Sequence, residues 1–265
     1  MSATANEPSS TRTPPFERIL CLTGLTGEGS EAVRQAAVLA GPGATIDLVA
    51  VAPLRPPGRP HPQAEQIESL VIGDRLASER AVESRPHIAE AADEPTGVLD
   101  SVAGHDLVVV PDSATGLEVL RRAPASVLIA RAPSAPTPFP ESILIAVDGT
   151  AEAHAAARLG AELALRHAAP VSLVATPEHD SGHQDALERD IEVVVQITGK
   201  RPIVLDEYRG PAPSILAAAA SVEASLIVTG RRPGDHDSSV SAHVAGAATC
   251  SVLVVRGRRS LSPRP

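Results

Sequence analysis

Residues 120–131 read LRRAPASVLIAR and residues 245–256 read AGAATCSVLVVR, an offset of 125 between Val127 and Val252. Two further pairs share the pattern. ERILC (17–21) matches ESILI (141–145) at an offset of 124 between Ile19 and Ile143, and HDLVVVP (105–111) matches ASLIVTG (224–230). Three apolar blocks in one order at nearly one spacing point to an internal duplication. Between the copies lies RAPSAPTPFPE (131–141), whose prolines continue neither a helix nor a central strand. The chain divides into a leader (1–15), a first copy (16–131), a linker (132–140), a second copy (141–257) and a tail (258–265).

The second copy alternates short β-branched runs with Ala-rich segments. Strands are expected at Ile143–Val147, Val171–Thr176, Ile203–Leu205, Leu226–Thr229 and Val252–Val255, and helices over 151–168, about 184–197, 212–222 and about 239–248. Strands apolar on both faces belong in a parallel sheet covered by helices, wound right-handed. The expected fold is α/β, two tandem open doubly wound parallel-sheet domains. Ligands in such folds sit at the carboxyl ends of the strands, where strand order switches. One sheet running through both halves would count against this division. In the first copy a second strand, Ala44–Val51, runs into PLRPPGRPHP (53–62), too rich in Pro for regular structure. A third strand is placed at His87–Glu90.

A composition of 43% hydrophobic but 1% aromatic residues, without Trp, means a core of Ala, Val, Leu and Ile. It supplies no ring platform for stacking bases, and a net charge of −9 disfavours a phosphate backbone, so nucleic acid is excluded as the main partner. No apolar run approaches the roughly 20 residues of a membrane span. The leader MSATANEPSSTRTPP has no apolar core of the secretory kind. Cys21 and Cys250 read as small buried hydrophobes, and a cytoplasmic protein is expected. The basic, Pro-rich tail GRRSLSPRP reads as solvated.

ILIAVDGT (143–150), RGPAPSILAAAASVEASLIVTGRR (209–232) and SSVSAHVAGAATCSVLVVR (238–256) resemble blocks of the universal stress protein domain, and the first copy shares its flanking strands. The resemblance covers about residues 16–131 and 141–257. Nucleotide-binding members of that family hold ATP with Gly-x-x-Gly, nine residues, then Gly-Ser or Gly-Thr. Glycines let backbone N–H groups approach phosphates, and the following helix offers its positive end. The resemblance therefore implies a site for ATP or AMP in the second copy. Asp148 would meet the adenine or ribose side, Thr176 the base, and Gly230 would open the phosphate loop. Pro233 stands where a second glycine belongs, followed by Gly234, and only three residues separate Gly234 from Ser238. Ser238 and Ser239 replace Gly-Ser, and Arg231 and Arg232 add positive charge. A weak phosphate cradle and a relic turn both fit this loop; a ligand contact and a plain helix cap both fit Asp148.

The first copy has lost more. Gly24 occupies the Asp position without a gap and Thr23 with one, and Pro111-Asp112-Ser113 stands where the loop glycine belongs. It reads as a structural partner that packs Val127–Ala130 against Val252–Val255, in place of the homodimer the family resemblance implies. A homodimer of the whole chain and an unidentified protein partner stay open. His179-Asp180 with His183, and Asp235-His236-Asp237, read as solvated loops rather than metal ligands. No Gly-x-Ser-x-Gly nucleophile elbow occurs. The expected function is a non-enzymatic stress-response or regulatory module with weak adenine-nucleotide binding, the alternative being a nucleotide-free scaffold.

Overall fold

Strand formation follows the β-branched runs, and most helices begin at a polar cap. In a computed structural model describing residues 15–54, 64–133, 137–175, 183–205, 210–232 and 239–257, the first half holds β1 (Arg18–Leu22), α1 (Gly27–Leu39), β2 (Thr45–Pro53), α2 (Ala64–Ser78), β3 (Glu83–Ala91), α3 (Glu94–Ser101), β4 (Leu107–Pro111), α4 (Ala114–Arg122) and β5 (Ser126–Ala130). The second holds β6 (Ile143–Val147), α5 (Ala151–His167), β7 (Val171–Ala175), α6 (His183–Thr198), β8 (Ile203–Leu205), α7 (Pro211–Ser221), β9 (Leu226–Arg231), α8 (Val240–Ala247) and β10 (Ser251–Arg256). Thr26, Asp93, Ser113, Thr150 and Ser239 each accept a hydrogen bond from the amide three residues on, satisfying a donor that the first turn leaves over.

The sheet order is β3-β2-β1-β4-β5-β10-β9-β6-β7-β8. The sheet is therefore continuous through both halves, contrary to the expectation of separate sheets. Each half keeps the same strand order, and every neighbouring pair is parallel except β5 with β10. At that antiparallel seam Val127 faces Val254, Leu128 faces Leu253 and Ile129 faces Val252. All five residues of β5 are buried. An edge this apolar would invite aggregation if left open, and pairing with its counterpart covers it.

Equivalent positions make equivalent bonds. The Glu17 and Arg18 amides donate to Asp106 Oδ2, as the Glu141 and Ser142 amides donate to Ser225 Oγ. Across the seam the Arg131 amide donates to Ser251 Oγ at 3.0 Å and the Arg256 amide to Ser126 Oγ at 3.1 Å. β3 spans Glu83–Ala91, longer than the His87–Glu90 expected. It is an edge strand with mostly exposed or half-buried side chains, so it lacks an apolar run, and the edge tolerates Pro86. Residues 55–63, most of the Pro-rich stretch, lie outside the described residues.

Two apolar layers flank the sheet, and each runs through both halves. One packs α1, α2, α5 and α6 on residues such as Ile19, Ile145, Val228 and Leu253. The other packs α3, α4, α7 and α8 on Leu20, Leu144, Ile227 and Val252.

Candidate functional site

β6 has β7 on one side and β9 on the other, so the chain leaves the second half's central strand in opposite directions. In doubly wound sheets ligands sit beyond the strand tips at such a switch point. The turn Asp148-Gly149-Thr150 carries the chain from β6 into α5. Gly149 adopts φ +81°, a conformation that side chains with a Cβ resist. Thr150 caps α5 through its Oγ1, which accepts from the Ala153 amide at 3.2 Å. Its hydroxyl and amide also donate to Asp148 Oδ1, at 2.6 and 3.0 Å. Asp148 Oδ2 lies 3.5 Å from Arg232 Nη2, and both side chains are partly exposed. Asp148 thus braces its own turn with one oxygen and faces a cation with the other.

Gly230 sits in β9 against the first turn of α5. A Cβ there would lie 2.5 Å from the Glu152 carbonyl carbon and 2.7 Å from the Ala153 amide nitrogen. Close packing of strand on helix by itself accounts for this glycine. Arg231 departs from expectation: it is buried, and its guanidinium donates to the carbonyls of Leu120 and Arg121 at the end of α4. Alternation along β9 turns its side chain away from the site, so it lends no charge to a phosphate. Ser239 caps α8 by accepting from the Ala242 amide at 3.3 Å. The structure therefore brings together Asp148, Gly230 and Arg232, and puts Ser239 at the start of α8. Thr176, Gly234 and Ser238 lie outside the described residues, as do His179, Asp180, Asp235, His236 and Asp237 and the side chain of His183.

Two residues not anticipated lie beside Asp148. Asp190 of α6 is buried, and its Oδ1 meets His154 Nδ1 of α5 at 2.8 Å. Burial pushes the Asp190 carboxyl up, the hydrogen bond and charge of His154 pull it back, and the nearby Asp148 adds to the rise. The signal was present in the sequence: Asp190 lies on the Ala186–Val194 stripe of α6, where a core-facing helix carries apolar residues.

Among the described residues the first half has no comparable site. Its ungapped counterpart of Asp148 is Gly24, and a Cβ on Gly29 would lie 2.6 Å from the Gly24 nitrogen, so α1 closes directly on the turn. Beyond β4, Asp112 is held bidentately by Arg131 at 2.8 and 2.9 Å. Thiol chemistry has no support in either half. Burial raises the Cys21 thiol and pushes Cys250 up to about 11, although Arg131 pulls the latter down, so both stay protonated. Among the described residues no group of three His, Cys, Asp or Glu could hold a metal, and no helix is long and apolar enough to cross a membrane.

Two like α/β halves sharing one sheet, with an acidic strand-tip turn in the second, define a doubly wound α/β protein. Residues 140–256, the second half of the chain, match the universal stress protein family. Solved structures extend the likeness of fold to nearly the whole chain. A universal stress protein from Archaeoglobus fulgidus DSM 4304 is 15% identical, covering 90% of this chain and 96% of its own, with a TM-score of 0.73. One from Pseudomonas aeruginosa UCBPP-PA14 is 18% identical over 92% and 94%, with a TM-score of 0.65. A functionally unknown protein from Pseudomonas aeruginosa PAO1 is 17% identical over 92% and 93%, with a TM-score of 0.63. No curated protein sequence matches the chain.

Proposed function

We propose that the chain is a non-enzymatic regulatory protein of the cytoplasm whose second half binds an adenine nucleotide, ATP or AMP, weakly at the tips of β6 and β9. The observation that carries the reading is the arrangement of Asp148 and Arg232 at the switch point, a carboxylate acceptor beside a partly exposed cation. Asp148 would accept from the ribose or base, and Arg232 would turn to the phosphates. The capped start of α8 would offer its positive end. Gly234, Ser238 and Thr176 belong to the same proposed site by their place in the sequence. In this reading the first half acts as a built-in partner: β5 takes up the edge of β10 that a second subunit would otherwise cover. Binding is weak because a shortened loop offers few backbone donors.

A second reading, a scaffold that holds no nucleotide, draws on two specific observations. Gly230 is explained by packing, and Asp148 already spends one oxygen on Thr150. Calorimetric titration of ATP into the full chain separates the two. Heat with wild type that is lost in Asp148→Ala supports the first reading, whereas no heat with wild type rejects it. Gly230→Val is unsuited to this purpose, since it breaks the seat of α5 whether or not a ligand binds.

A further inference from the structure

Thr150 and His154 stand one helical turn apart, at positions that share a face of α5, and the His154 amide closes that turn on the Thr150 carbonyl at 3.0 Å. Thr150 holds Asp148 through its hydroxyl. His154 is held in turn by the buried Asp190, whose packing neighbour Ala186 abuts Gly149: a Cβ on that glycine would lie 3.1 Å from Ala186 Cβ. The four side chains therefore run in a line from the tip of β6 to the α5–α6 interface. The His154 ring is half exposed. Its Nδ1 belongs to Asp190, and Nε2 takes no partner among the described residues.

Resting on the nucleotide reading above, we infer that His154 is a base-contacting residue of this site, that Asp190 is the positioning residue that sets its tautomer, and that the pair selects adenine over guanine. The chemistry is one of matching donors to acceptors. An ionised Asp190 accepts from Nδ1–H, which leaves Nε2 with a lone pair directed outwards. Asp148 is likewise an acceptor. Two acceptors on one side of the site suit a base edge that carries an amino group, as adenine does at C6. Guanine has a carbonyl oxygen there, and lone pairs would oppose each other. A site built to accept a hydrogen bond discriminates against an analogue that cannot donate one. The bland account, in which the pair only staples α5 to α6, predicts a loss of stability and no change in base preference.

The test is calorimetric titration of ATP and of GTP into the full chain as wild type, His154→Ala, His154→Gln and the double variant His154→Ala with Asp190→Ala. Wild type is expected to favour ATP. His154→Ala should lower ATP affinity about tenfold, the worth of one hydrogen bond to a polar site, and leave GTP unchanged. His154→Gln keeps an acceptor and should recover part of the loss. The double variant removes the buried carboxylate that His154→Ala orphans, so it folds while still binding ATP poorly. Wild-type ATP affinity in the double variant, or an equal loss for ATP and GTP, overturns the inference and leaves the nucleotide reading standing. Absence of ATP binding in wild type removes both.

Discussion

Two buried or half-buried carboxylates pull stability in opposite directions with pH. Asp47 accepts from His105 Nε2 at 2.7 Å and from Arg18 Nη2 at 3.1 Å. Burial alone would raise its carboxyl, but these hydrogen bonds and charges outweigh it and hold Asp47 below the ordinary value. A depressed carboxylate contributes stability that is present above its unfolded pKa, near 3.9, and lost as pH falls through the folded value. Asp47→Asn should therefore lower the urea midpoint at pH 7, with the gap from wild type narrowing as pH drops below about 4. Asp190 has the opposite sign: its raised carboxyl favours the fold below the unfolded pKa, and that contribution is lost as pH rises through the folded value. Asp190→Asn should raise the midpoint at pH 7 and lose that advantage towards pH 4. The same urea series checks both. Gly230→Ala belongs at this scale too. The backbone atoms of Glu152 and Ala153 stand where its Cβ would go, so α5 must shift, at a cost of about 1–3 kcal/mol by thermal or urea unfolding.

At the scale of elements, the seam depends on two arginines that cross it. Arg131, just past the end of β5, donates to the carbonyls of Ala245 in the last turn of α8 and of Cys250 just before β10. Arg231, in β9, donates to the carbonyls of Leu120 and Arg121 at the end of α4. Each half thus caps the last helix of the other, satisfying carbonyls that a helix C-terminus leaves over. Gln35 tightens the same corner by donating to the Arg131 carbonyl at 2.9 Å and accepting from the Ser251 hydroxyl at 2.8 Å. Arg131→Met removes the guanidinium and orphans two carbonyls, which should cost about 2–4 kcal/mol. Asp112 is partly exposed and rehydrates, so it adds little to that loss. The loss should appear as a shift of the whole unfolding curve, read by circular dichroism in urea.

The whole molecule follows from the seam. Both apolar layers pass through it, and no boundary in the sheet separates one core from another. A single cooperative transition is expected, with secondary-structure and calorimetric signals coinciding. Two transitions would contradict the shared core. Residues 141–257 expressed alone expose the edge of β10, where Val252, Leu253 and Val254 lose their partners. That fragment should self-associate, as read by light scattering, whereas a monomeric fragment would mean the seam contributes little. The strand tips of the two halves point to opposite ends of the sheet, because β5 and β10 run antiparallel. The turns that follow β6 and β1 therefore lie at opposite ends of the sheet.

Composition and periodicity were enough to determine the α/β class and nearly every strand of the second half, because β-branched runs buried on both faces leave a mark readable one residue at a time. The turn at Asp148 was legible because a turn is local, but the cap of α5 is Thr150 and not Asp148. β3 was only partly legible: at the edge, its half-exposed side chains carry no run. What only the tertiary structure decided were the relations between distant segments. These are the antiparallel meeting of β5 and β10 that turns two sheets into one, the burial of Arg231 under α4, the contact of Gly230 with α5, and the pairing of Asp190 with His154. A charged residue reads alike in sequence whether it faces a phosphate or a helix end. Which of the two it meets depends on packing between parts of the chain more than a hundred residues apart, as with Arg231 and Leu120.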